Sequence, residues 1–122
     1  MTQILFAVAF TLMATLSSQA QHVSIRFSPA SEQFAEATRA YQALWEAEGP
    51  SMIAALERVS GLQFPERAME VIVYEGISWA GAVGSPMRMR ASYPPETKKA
   101  TLIHELGHRH LAQLQRRPSE LG

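Results

Sequence analysis

Thr101-Leu102-Ile103-His104-Glu105-Leu106-Gly107-His108 is the stretch on which the reading of this chain turns. Pro94-Pro95 stands just upstream, and Pro is tolerated in the first turn of a helix. Pro118 stands downstream and stops one. The spacing predicts a helix from about Glu96 to Arg117, with Arg109, Arg116 and Arg117 near its C-terminus, where the helix dipole favours cations. On a helix, residues four apart lie one turn above each other, rotated by about 40°. His104 and His108 therefore present two imidazoles to one point, which is half of a tetrahedral zinc site. Glu105 lies about 100° round from His104, too far to be an easy third ligand but able to reach a water at the metal. Zinc brings a water's pKa toward ~7 and a carboxylate can then take the proton, so the pattern points to hydrolysis of a polarised carbonyl. His110 falls on another side of the helix and reads as a packing or surface histidine.

Upstream, Met69-Glu70-Val71-Ile72-Val73-Tyr74 is β-branched and aromatic, and predicts a central strand. Pro86 to Ala91 alternates apolar and basic residues, as an edge strand does. The stretch Ile77 to Pro86, with Gly81 and Gly84 in it and Gly76 just before, reads as a flexible connection. It carries neither a Walker Lys-Ser/Thr nor a nucleophile elbow. His22 to Phe27 alternates with Val23, Ile25 and Phe27 on one face, a half-buried strand with His22 at its exposed end. Two helices are expected next. Ser31 can cap the first, which runs to about Glu48 with Phe34, Ala37, Tyr41, Leu44 and Trp45 on its apolar side. Gly49-Pro50 breaks it. The second runs from Ser51 to about Ser60 and closes on Gly61. Met52, Met69, Met87 and Met89 read as core filler.

The chain has 122 residues, which allows one domain. Lys+Arg 11 against Asp+Glu 11 gives no net charge, which argues against nucleic-acid binding. There is no Cys, so disulfides, thiol nucleophiles and iron–sulfur clusters are excluded. All 11 acids are Glu, so an Asp-based triad and an Asp-built Ca loop are excluded too. Ile4 to Leu16 is a 13-residue apolar run relieved only by Thr11 and Thr15. That is too short to span a bilayer, which needs about 20 residues. It suits a secretory signal occupying residues 1–20 and cut after Ala20, although Met1-Thr2-Gln3 lacks the usual positive charge. The mature domain would be 21–122, secreted or periplasmic, with no stable membrane anchor.

His104-Glu105-Leu106-Gly107-His108, preceded by Lys98 to Ile103, resembles the active-site helix of zincin metallopeptidases, and most closely the gluzincin, or peptidase MA-like, branch. The resemblance implies an α+β fold: an N-terminal strand, a helix pair, a small mixed sheet with an edge strand, and then the H-E-x-x-H helix. It implies a Zn2+ ion on His104 and His108, Glu105 as general base, and a peptide or protein substrate. The substrate would pair along the edge strand at Met87, Arg88, Met89 and Arg90. The metzincin third ligand would fall on Leu114 and the aspzincin one needs an Asp, so both branches are excluded. The gluzincin third ligand is a Glu on a later helix. Glu120 is the one Glu downstream, and the chain stops 14 residues after His108.

Three readings follow. The chain is a gluzincin lacking its C-terminal part; or a minimal zincin completed by Glu120 or by a residue of a partner; or a non-catalytic secreted domain that binds metal or peptide through the same helix.

Overall fold

A computed structural model describes residues 22–115; the expected signal peptide over 1–20 and the candidate ligand Glu120 lie outside the described residues. Strand β1 (Ser24–Pro29) leads through a 3-10 turn (Glu32–Phe34) into helix α1 (Ala35–Ser60). Strands β2 (Ala68–Tyr74) and β3 (Met87–Arg90) follow, then helix α2 (Pro95–Leu111) and a second 3-10 turn (Ala112–Gln115). The fold is α+β, built on a three-stranded sheet of order β1-β2-β3. No helix among the described residues is long and apolar enough to cross a membrane.

The sheet is parallel throughout, not mixed. A helix crossover joins β1 to β2, and about a dozen residues without a helix join β2 to β3, close to the shortest length such a crossover allows. The strands nevertheless alternate buried and exposed, because one face alone is covered. Val23, Ile25, Phe27, Met69, Val71, Val73, Met87 and Met89 point into one core with Leu102 and Leu106 of α2. Arg26 pairs with Glu70 on the open face, across directly opposed positions of β1 and β2.

The expected helix pair is one helix of 26 residues with Pro50 inside it. Proline in a helix interior removes a hydrogen bond and costs about 3 kcal/mol. Here the buried side runs without change of phase across the proline, through Thr38, Tyr41, Trp45, Gly49, Met52 and Ile53. Packing of that stripe outweighs the local break. Gly49 is required for another reason: a Cβ there would sit 2.6 Å from the Trp45 ring, so the glycine makes room for the indole. Ser31 precedes the 3-10 turn, and its side chain makes no capping bond.

Tyr41 and Lys98 set where α2 begins. The Tyr41 hydroxyl donates to the Arg90 carbonyl at 2.7 Å, and its ring stacks on Phe27 at 5.9 Å. Burial, with Tyr93 and Glu75 nearby, raises its pKa well above the ordinary 10.0. Lys98 Nζ donates to the carbonyls of Ala91 and Tyr93, tying the turn after β3 to the first turn of α2. Burial lowers its pKa, opposed by Glu75.

Candidate metal centre

Pro95 occupies the start of α2, and the stripe Lys98, Leu102, Glu105, Leu106, Arg109 and His110 is buried. That phase leaves His104 and His108 on the exposed side. Their Nε2 atoms lie 3.1 Å apart, with the rings nearly perpendicular at 82°. Two nitrogens bound to one tetrahedral zinc at about 2.05 Å stand about 3.3 Å apart. The pair as it stands fits that requirement with a small adjustment. Glu105 is buried, and one of its carboxylate oxygens lies within 4.8 Å of a ring nitrogen of each histidine. Among the described residues the ion pairs are Arg26–Glu70, Arg90–Glu75, Lys99–Glu48 and Arg109–Glu66, so Glu105 has no cationic partner there. Among the same residues no further His or Glu joins the three.

The expected substrate segment is placed differently. Met87 and Met89 are fully buried in the core, so their side chains cannot meet a substrate. Arg88 and Arg90 are half-buried on the opposite side of the strand. Arg88 stands over the Tyr74 ring at 5.6 Å, and Arg90 pairs with Glu75. The outer edge of β3 is already engaged. Trp79 lies antiparallel to Arg88 and exchanges both backbone hydrogen bonds with it, at 2.8 and 2.9 Å. Ser78 Oγ accepts from the Arg90 amide, and Arg90 O accepts from Tyr41. A peptide pairing on β3 at Arg88 would first have to displace Trp79.

Arg109 departs most from its expected role as a cation near the helix end. It is 1% exposed, and its guanidinium forks onto Glu66, Nε to Oε1 at 2.6 Å and Nη2 to Oε2 at 2.8 Å. Two of the remaining three donors, on Nη1 and Nη2, hold the Ala80 and Ser85 carbonyls at 2.7 and 2.6 Å. The connection expected to be flexible is therefore gripped at Ala80, near its middle, and at Ser85, near its end. His110 is a packing residue, as expected: it is buried, stacked on Phe64 at 5.4 Å, with Nε2 2.7 Å from Ser60 Oγ. Burial lowers its pKa, and Glu57 opposes the shift. Its Nδ1 has no hydrogen-bond partner among the described residues. His22 is exposed, as expected, but lies two residues ahead of β1 rather than within it.

Searches against protein-family models, curated proteins and solved structures find no match to this chain.

Proposed function

We propose that this chain is a secreted or periplasmic zinc-dependent hydrolase acting on peptide bonds. The observation that carries the reading is the convergence of two exposed Nε2 atoms, 3.1 Å apart, beside a buried carboxylate within 4.8 Å. His104 and His108 bind the metal as neutral imidazoles through Nε2. A catalytic zinc takes three protein ligands, so a third is needed, and Glu120 is the candidate. When bound, zinc supplies a Lewis acid that polarises the scissile carbonyl and acidifies water. The Glu105 carboxylate takes a proton from the attacking water and returns it to the leaving amine. Its burial beside the imidazoles holds the base in one place and keeps it away from bulk solvent. The peptide class rests on the resemblance of the H-E-x-x-H helix to zincins.

The second reading is a non-catalytic metal- or peptide-binding domain. It is favoured by the His104–Glu105–His108 group having no further ligand among the described residues. One experiment separates the two. Zinc-loaded wild type and Glu105→Gln are compared on a quenched fluorescent peptide library, with bound zinc measured in parallel. The hydrolase reading expects hydrolysis by the wild type, and full zinc with hydrolysis lost in the variant. Hydrolysis by Glu105→Gln at the wild-type rate would remove Glu105 from the mechanism. Zinc uptake without hydrolysis by either protein would favour the binding domain.

A further inference from the structure

We infer that Arg109 is a positioning residue that couples the 80–85 loop to the metal-binding pair; this rests on the metal site proposed above. Arg109 directly follows His108, and only three residues of α2 lie beyond that ligand. Helix ends fray unless something holds them. The pair geometry depends on the turn from His104 to His108 staying helical, so the end of α2 has to be anchored.

It is anchored on two sides. On one, His110 stacks on Phe64 and meets Ser60, and Gln113 donates to the Gln63 carbonyl at 3.2 Å. On the other, Arg109 and Glu66 together hold the loop: the guanidinium takes the carbonyls of Ala80 and Ser85, and Glu66 Oε2 takes the Gly84 amide at 3.1 Å. The loop closes on itself through Ser85, whose Oγ donates to Ala82 O at 2.7 Å. Gly81 is in the left-handed region at φ 67°. A Cβ there would stand 2.9 Å from Pro86 O and 3.3 Å from Arg109 Nη1, so the loop backbone is packed onto the guanidinium. Four of the five donors of one buried side chain are thus spent joining α2 to the loop and to Glu66. Val83 at the tip of the loop is exposed.

Coupling of this kind is reciprocal: if a held loop improves zinc affinity by some factor, zinc steadies the loop by the same factor. The test uses the mature chain and zinc itself. Amide hydrogen exchange of residues 80–85 and 108–111 is followed with and without zinc, and zinc affinity is read by competition with a chromophoric chelator. The variants are Arg109→Met and Gly81→Ala; the second disturbs the loop while keeping the ion pair, and serves if the first does not fold. Zinc should slow loop exchange by about tenfold in the wild type. Each folded variant should lose about that factor in zinc affinity and show no slowing. Arg109→Lys, which keeps the charge but not the fork, should recover part of it. Zinc uptake with unchanged loop exchange, or wild-type zinc affinity in folded Gly81→Ala, overturns the coupling alone. No zinc uptake by the folded wild type overturns the metal site and the coupling with it.

Discussion

Two ion pairs of the same chemical type should differ greatly in what they contribute, because one is buried and one is not. Arg109 and Glu66 are 1% and 10% exposed at the side chain; Arg26 and Glu70 are 77% and 53% exposed. Glu66→Gln leaves the guanidinium buried with no counter-charge, and the new amide nitrogen faces a cation where an oxygen accepted before. Removing one partner of a buried pair costs about 3–5 kcal/mol. The Gly84 amide loses a charged acceptor as well. Glu70→Gln breaks a solvated pair worth about 0–1 kcal/mol. For a domain of this size 1 kcal/mol corresponds to roughly 4–8 °C in Tm. Thermal unfolding followed by circular dichroism should therefore show Glu66→Gln melting at least about 12 °C below the wild type, with Glu70→Gln within about 8 °C of it. Urea midpoints should rank the same way. Equal, small shifts in the two variants would refute the assignment of Arg109–Glu66 as a desolvated clamp.

Further consequences concern α1 and the core. Gly49→Ala improves helix propensity by about 1 kcal/mol, but its Cβ would lie 2.6 Å from the Trp45 ring, and overpacking costs about 1–3 kcal/mol. The clash should win, and urea unfolding should show a net loss; a stabilised variant would mean that the indole does not lie over residue 49. Tyr41 should make stability fall in alkali. Its folded pKa is raised, so its contribution is complete below its ordinary pKa of 10.0 and is lost as pH rises beyond that, when the unfolded chain ionises first. Melting curves at pH 9 and pH 11 should show a larger drop for the wild type than for Tyr41→Phe; equal drops would place Tyr41 in solvent.

The His104–His108 pair was legible from sequence because its geometry is contained in one helical turn, which four residues define. The strands were legible too: each observed strand begins and ends within two residues of its expected span. What failed needed partners distant in the chain. Gly49-Pro50 reads as a break locally, but the indole of Trp45 over Gly49 and the unbroken phase from Tyr41 to Ile53 carry the helix through it. The mixed sheet came with the resemblance to zincins, and the strand patterns themselves do not distinguish parallel from antiparallel pairing; the alternation has another source. It reports that one face is open, and here a parallel sheet has an open face. Arg109 looked like a cation at a helix end because Glu66 is 43 residues away, and nothing near Glu66 advertises the contact. Met87 and Met89 pointed both to the core and to a substrate edge, and the structure puts them in the core.

Whether His104 and His108 hold zinc is decided by the zinc content per chain of the purified protein, read by elemental mass spectrometry beside His108→Ala. About one zinc per chain is expected in the wild type and none in a folded His108→Ala. A folded wild type that carries no zinc at saturating metal, or a His108→Ala variant that keeps it, would mean that the two histidines do not hold the metal.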